Sequence, residues 1–215
     1  MQRITRERLT GHDRRETDHP ATWVLRFAVG VLALAVAGAC GPGGSGTVVE
    51  EARTVGAFNR LEVSAGIVVE LTIDSAGTVS VVSVYDDNLQ ERIVTEVDGD
   101  TLVVGADGSF TTSGASRAVE VTVPALVGLS ASGGGRVVAT GALDHLILDV
   151  DGGAEVDLSG LVVQTMDIHV TGGGRATIDV REAVHGNVSG GGRLTVHGDP
   201  PSNDLDVDAG GQVTD

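Results

Sequence analysis

The stretch LDVDGGAEVDL, from Leu148 to Leu158, decides the fold of this 215-residue chain. Apolar and polar residues alternate on both sides of its glycine pair, and this period of two is typical of half-buried β-strands. Similar phrases recur at residues 129–139, 168–178, 186–196 and 205–214. The polar residues that precede the glycine clusters recur every 18 to 20 residues, at Ser132, Asp151, Thr171, Ser189 and Asp208. A repeat of this length predicts stacked, nearly identical structural units.

Each phrase predicts two short strands that meet at the glycines, where a positive φ angle costs little. A unit of this size cannot bury its apolar side alone, but parallel stacking of successive units buries it. We therefore expect an all-β fold, a right-handed parallel β-helix or β-solenoid. The aliphatic side chains expected in its interior are Leu148, Val150, Ile168, Val170, Val188, Leu205 and Val207.

Stacking also predicts which side chains lie next to one another on the surface. The position that follows each glycine cluster should form a ladder across the turns, which contains Arg136, Glu155, Arg175, Arg193 and Gln212. Glu155 should then lie between two arginines, in an exposed ladder whose ion pairs each contribute about 0.2 to 1 kcal/mol.

The first half of the domain predicts one more solenoid turn and an excursion from it. Residues 61–71 fit the repeat, with Ala65 and Gly66 at the place of the glycine cluster. Two apolar runs, 93–97 and 101–104, flank Asp98-Gly99-Asp100, which predicts an early β-hairpin. A strand at 119–123 should end at Pro124.

Residues 1–40 differ from the rest and are typical of a signal peptide. Six arginines precede an apolar run at 27–39 that ends in small residues. That run is shorter than the roughly 20 residues that span a bilayer. An uncleaved signal anchor that starts near Ala21 is the alternative, although it would place Arg26 within the membrane.

Cys40 is the only cysteine and lies where a cleaved signal peptide would end. The stretch Val36-Ala37-Gly38-Ala39-Cys40 resembles the lipobox of bacterial lipoproteins, which implies a lipid anchor at the Cys40 thiol; a chance cysteine is the alternative. We expect an exported protein, lipid-anchored to the outer face of the bacterial membrane or envelope. The expected organisation is a signal peptide at 1–40, a flexible glycine-rich tether at 41–55 and a β-helix at 56–215.

Composition narrows the class of function. The formal charge is −16 and the 14 arginines form no cluster typical of a nucleic-acid patch, so phosphate would repel the chain and we expect no nucleic-acid partner. A polysaccharide-acting β-helix enzyme, a lyase or a glycosidase, is the rival class. Sugar platforms generally use aromatic rings, which make up only 2% of the residues, and no serine lies in a nucleophile-elbow motif. We expect no catalytic, metal or cofactor residues, and a binding or structural module.

Several segments together resemble a known family, the head GIN domain of autotransporter adhesins. The resemblance covers about residues 56 to 215 and implies a parallel β-helix at the cell surface, with no catalytic residues. Gly-Gly-Gly-Arg replaces the commoner Gly-Ser-Gly-Asp of the family at the repeated turn, so no ligand role is carried over for that turn. The likeness lies at 58–64, 88–89, 95–104, 121–126 and the repeated Ser-Gly-Gly phrase.

The outward polar positions of one strand column predict a continuous strip and a candidate partner face. Its candidate residues are Asp149, Asp151, His169, Asn187, Asp206 and Asp208, with Thr171 and Ser189 between them. We expect Asp149 and His169 to lie within reach of each other. A divalent cation or a cell-surface protein or glycan could be held there. The alternative is that the strip is only the solvated side of the solenoid, since alternation itself requires polar outward residues.

Overall fold

The computed structural model describes residues 41–112 and 117–214, so the predicted signal peptide and Cys40 lie outside the described residues. The described chain is built from strands and turns, with a single 3-10 turn at Gln90–Arg92. The strands are β1 Val48–Ala52, β2 Arg60–Val63, β3 Val68–Ile73, β4 Ser80–Asp86, β5 Ile93–Asp98, β6 Thr101–Ala106, β7 Ala118–Val123, β8 Gly128–Ala131, β9 Arg136–Val150, β10 Glu155–Val170, β11 Arg175–Val188, β12 Arg193–His197, β13 Ser202–Val207 and β14 Gln212–Thr214.

Parallel pairing of successive repeats produces a β-solenoid of about four turns, which confirms the predicted fold class. The first half of β10 pairs with the first halves of β9 and β11, and its second half pairs with their second halves. The solenoid therefore has two sheets, joined on one side by the glycine turns and on the other by corners within the long strands. Register shifts lie at this second corner, for example between Asp157 and Gly160 of β10.

The glycine turns share one backbone geometry. At Gly133 and Gly134 the φ angles are 53° and 77°, and the Gly135 amide donates to the Ser132 carbonyl over 2.8 Å. Two central residues with positive φ that are closed by a bond between the first and fourth residues form a type I′ turn. Glycine adopts this conformation without steric penalty, so the repeated glycines place a sharp corner in every unit.

The interior is an aliphatic stack between the two sheets, as the alternation predicts. Leu148, Val150, Ile168, Val170 and Val188 are all at most 1% exposed. The prediction was wrong for the last unit: Val207 is 49% exposed and Leu205 is only partly buried. Both lie on β13, which pairs with β11 on one side and has no described strand on the other. A solenoid turn buries its apolar residues only where a further turn covers them.

The early excursion does not leave the solenoid. The predicted hairpin is confirmed, since β5 and β6 are antiparallel and joined at Asp98–Thr101. However, β6 also pairs in parallel with β2, and β7 pairs in parallel with β3. β6 and β7 therefore form a further turn, stacked next to the turn of β2 and β3. β4 pairs antiparallel with the other edge of β7. We call this end of the stack, residues 80–112 and 117–123, the cap.

The segment 41–55 does not behave as the free tether that its glycines and serine suggest. β1 pairs antiparallel with β4, from Val48 with Asp86 to Ala52 with Val82. Gly43 forms a parallel bridge with Thr111, and the Gly44 amide donates to the Thr111 carbonyl over 2.7 Å. The physical reason is that these small residues let the backbone approach the cap closely: a Cβ at Gly44 would lie 2.4 Å from Asp86 Oδ2.

Candidate interaction face

One sheet of the solenoid displays the predicted strip on its outer surface. The pairing register places Asp149 beside His169, His169 beside Asn187, and Asn187 beside Asp206. Ser130 continues this column toward the cap. We call the outward side chains of this sheet from β8 to β13 the polar face. The sheet continues beyond β8 to β2, which carries outward Arg60 and Glu62. The three columns of the polar face contain Ile147, Asp167, His185 and Asp204; Ser130, Asp149, His169, Asn187 and Asp206; and Ser132, Asp151, Thr171, Ser189 and Asp208.

Six of these side chains are aspartates and none is an arginine. Strands in a sheet are about 4.8 Å apart, and like charges directly opposite each other destabilise a sheet. Along each column a neutral polar residue or a histidine separates the aspartates, as Thr171 and Ser189 separate Asp151 from Asp208. This spacing allows a dense array of carboxylates without direct cross-strand repulsion, and the resulting surface is flat, acidic and rich in hydrogen-bonding groups.

Two histidines lie close to aspartates, in pairs other than the predicted pair of Asp149 and His169. His145 Nε2 is 3.7 Å from Asp167 Oδ2, and His185 Nδ1 is 3.8 Å from Asp204 Oδ2. Asp149 and His169 are register neighbours, yet no described ion pair joins them. The topology brings three histidines, at positions 145, 169 and 185, to one sheet.

Side-chain hydrogen bonds also connect successive turns at the edge of this face. Thr171 Oγ1 donates to Asp151 Oδ1 over 3.0 Å, and Thr165 Oγ1 lies 3.0 Å from His145 Nδ1. These contacts join residues 20 positions apart in sequence. They hold the polar side chains of adjacent strands in fixed positions, so part of the face is preorganised for contact with a partner.

The ladder beside the glycine turns forms as predicted. Glu155 is in register with Arg136 on one side and with Arg175 on the other, and Arg193 follows Arg175. Arg136 Nη1 is 3.2 Å from Glu155 Oε2. The polar face thus ends at the glycine turns. Beyond them lies this ladder, in which Arg175 and Arg193 are adjacent and Glu155 lies between Arg136 and Arg175.

The geometry bears on the cation hypothesis. Among residues 41–112 and 117–214, no three side chains of histidine, cysteine, aspartate or glutamate are grouped so that they could hold a metal ion. Divalent calcium usually takes six to eight oxygen ligands. The spacing along each column keeps the carboxylates apart, so the face is better suited to a broad partner surface than to a single bound ion.

The aromatic residues do not form an exposed platform. Tyr85 is 2% exposed and contacts Phe110 edge-to-face, with ring centroids 6.3 Å apart. Both rings line a cleft of about 360 Å³ in the cap, beside Arg117. Burial raises the pKa of the Tyr85 hydroxyl. Sugar-binding platforms generally present exposed ring faces, whereas Tyr85 is buried and Phe110 is partly buried.

Sequence reasoning missed a buried ion pair in the cap. Arg117 Nε donates to Asp86 Oδ2 over 2.9 Å and Arg117 Nη2 donates to Asp86 Oδ1 over 3.0 Å. The Asp86 side chain is fully buried, and the Gly46 amide donates to its Oδ1 over 2.7 Å. The hydrogen bonds from Arg117 hold the pKa of the Asp86 carboxyl below its usual range. The pair joins β4 to β7 through side chains 31 positions apart, and no local motif marks it.

A second carboxyl, Asp157, also has a lowered pKa, because the Ser159 hydroxyl and amide donate to it. A general acid for glycoside hydrolysis needs the opposite shift. Neither of these two carboxyls therefore suits that role.

In the described part of the chain, no helix has the length and apolar character that a bilayer span requires.

Solved structures similar to this chain come from species of Bacteroides and Parabacteroides. A "putative adhesin" from Bacteroides fragilis superposes with a TM-score of 0.55 at 18% identity, over 81% of this chain and 99% of that one. A "putative adhesin" from Parabacteroides merdae gives 0.44 at 15% identity, over 82% and 99%. A "Putative lipid binding protein" from Parabacteroides distasonis gives 0.40 at 12% identity, over 80% and 99%. At this identity the first similarity bears on the fold alone, and the other two carry no further argument.

A search of curated proteins gave no match. The model of one protein family matches residues 57–145 and 127–200, which together span well over half of the chain. These ranges include the cap strands, the first solenoid turn and most of the repeated glycine turns, so the match covers the same architecture that the pairing register shows. The chain therefore belongs to the family described as "Putative auto-transporter adhesin, head GIN domain".

Proposed function

We propose that this protein is a non-catalytic, adhesin-like binding module of the bacterial cell envelope and that the polar face is its contact surface. Membership of the adhesin family supports surface location and an adhesin-like role. The observation that carries the assignment of the face is its composition: six aspartates and no arginine in the columns from β8 to β13, with three histidines on the same sheet. Arg60 lies on the adjoining strand β2. The partner that fits is a positively charged surface of a protein or an amine-bearing glycan.

Electrostatics favours such a partner. Residues 1–40 contain four acidic residues and six arginines, so the remaining chain carries 26 acidic residues, eight arginines and a formal charge of −18. A face of one sign raises the association rate with a partner of the opposite sign, and this effect falls as salt increases. The cross-strand hydrogen bonds reduce the ordering that binding would require.

We further propose that the module is anchored through a lipid on Cys40, after removal of residues 1–39. The arginine-rich start, the short apolar run and the single cysteine support this anchor. Incorporation of a fatty-acid analogue into growing cells tests it: wild type should take up label and Cys40→Ser should not. Equal labelling of the two would refute the anchor, leaving secretion or a signal anchor.

The role of the polar face is tested with two matched triple variants. Asp149→Ser, Asp151→Ser and His169→Ser remove two carboxylates and one imidazole from the polar face. The control removes the same groups from the other sheet, where Glu70, Glu120 and His197 are exposed.

Beads coated with each variant are allowed to attach to immobilised basic proteins and to amine-bearing and neutral glycans. The polar-face variant should lose attachment several-fold and become less sensitive to salt, while the control variant retains wild-type attachment. Equal attachment by both triple variants would show that the face has no binding role and that the domain is a surface spacer.

A further inference from the structure

The cap grips the chain immediately after Cys40. The Asn88 amide nitrogen Nδ2 donates to the Gly43 carbonyl over 2.9 Å, and the Ser45 amide donates to Asn88 Oδ1 over 2.9 Å. The Ser45 hydroxyl donates to Asp87 Oδ1, and the Gly46 amide donates to buried Asp86. With the Gly43–Thr111 bridge, these contacts form what we call the N-terminal clamp: residues 43–46 held by 86–88 and Thr111.

The clamp leaves only a short stretch of chain between Cys40 and the first residue bound to the cap. Gly41 packs so closely on the cap that a Cβ there would lie 1.6 Å from the Ser109 carbonyl oxygen. Cys40 precedes the bridged residue Gly43 by three positions, and an extended chain covers at most about 3.5 Å per residue. The Cα atom of Cys40 is thus within about 10 Å of Gly43, so a group on Cys40 is attached close to the cap.

The opposite end of the solenoid lies far from this attachment point. The sheet that contains the cap strand β7 continues through β3, β9, β10, β11 and β12 to β14. At about 4.8 Å per strand, β14 lies roughly 30 Å from β7. The formal charge of −18 on residues 40–215 opposes close approach of the remaining surface to anionic lipid.

We propose that the cap is the membrane-facing end of the domain and that the clamp, in place of a flexible tether, fixes this orientation. The inference rests on the anchor at Cys40 proposed above. The polar face then begins beyond the cap and is presented outward, with the aspartates of the last turn at 204, 206 and 208 farthest from the lipid. The glycines and serine at 41–46 serve to seat the chain against the cap, and they do not act as a spacer.

The test attaches the mature chain to vesicles through the same sulfur atom without depending on natural lipidation. Every core residue of the described part of the chain lies within residues 40–215, which contain one cysteine and no tryptophan, since Trp23 precedes them. The Cys40 thiol is coupled to a maleimide-headgroup lipid in phosphatidylcholine vesicles that contain a nitroxide-headgroup quencher. Tryptophan reporters are placed by Asp107→Trp in the cap and by Asp208→Trp in the last glycine turn, both exposed aspartates.

The cap reporter should be quenched several-fold more strongly than the distal reporter. A flexible Gly-Ser insertion between Cys40 and Gly41, or Ser45→Ala with Asn88→Ala, should reduce that difference. Equal quenching of both reporters, or a difference that survives both changes, would overturn the orientation proposal. Fatty-acid labelling of the full chain tests the anchor separately. The vesicle measurement reports the orientation set by the clamp whether or not Cys40 is lipidated in cells.

Discussion

Arg117 and Asp86 meet through two nitrogen–oxygen contacts, at 2.9 and 3.0 Å, and join the cap strand β4 to the residue that precedes β7. Their side chains are 8% and 0% exposed, respectively. Removing one partner of a buried pair is costly because it leaves a desolvated charge. This contact also orients the carboxylate that receives the Gly46 amide, so it connects the integrity of the cap with the N-terminal clamp.

Replacing Asp86 should destabilise the cap and change its response to acid. The lowered pKa of Asp86 means that its contribution to stability is present above the unfolded pKa of about 3.9 and is lost as pH falls through the lower folded pKa. Asp86→Asn should therefore have a lower melting temperature at neutral pH and lose less stability on acidification than wild type. Exposed Asp98→Asn is the control; identical acid profiles for Asp86→Asn and wild type would contradict the assignment.

The core prediction compares the same side chain at two heights of the stack. Leu148→Ala should lower the free energy of unfolding by about 2 to 5 kcal/mol, since Leu148 is fully buried. Leu205→Ala lies in the same column but is only partly covered, so its cost should be about 1 kcal/mol. Urea denaturation measures both. Comparable losses would indicate that something covers the last turn in solution.

The neighbouring turn leaves little room for a side chain at the third glycine of a glycine turn. A Cβ at Gly192 would lie 2.7 Å from the Val170 carbonyl oxygen, although its φ is not positive. Gly192→Ala should therefore destabilise the solenoid by about 1 to 3 kcal/mol, the usual cost of overpacking. Ala154 occupies the equivalent position of another turn, so Ala154→Gly is the reverse substitution with which Gly192→Ala is compared. Unchanged melting of Gly192→Ala would show that the turns separate without cost.

The exposed ladder should contribute little. A double-mutant cycle on Arg136 and Glu155, using Arg136→Ala and Glu155→Ala, should give a coupling of about 0.2 to 1 kcal/mol. Both side chains are 48% exposed, so the coupling should fall as salt increases. A coupling that is large and insensitive to salt would mean that the pair is shielded from solvent, contrary to the exposure seen here.

The local sequence pattern was sufficient to predict much of the fold and of the polar face. The period of about 19 residues identified the solenoid, and the register of Asp149, His169, Asn187 and Asp206 followed directly from it. Glu155 lies beside both arginines for the same reason. These features depend on repeats that stack in order, so the sequence spacing translates into spatial adjacency.

The sequence by itself determined the turns, the buried columns and the polar face, because alternation and paired glycines act within a few residues. Only the tertiary structure decided how the cap is built, because β6 and β7 stack before β2 and β3 against the order of the chain. The same holds for the Asp86–Arg117 pair and for the clamp at residues 43–46, which join segments 31 to 68 positions apart. Such contacts arise from close approach of distant backbone, and a glycine-rich segment has the same composition whether it is free or seated against a surface.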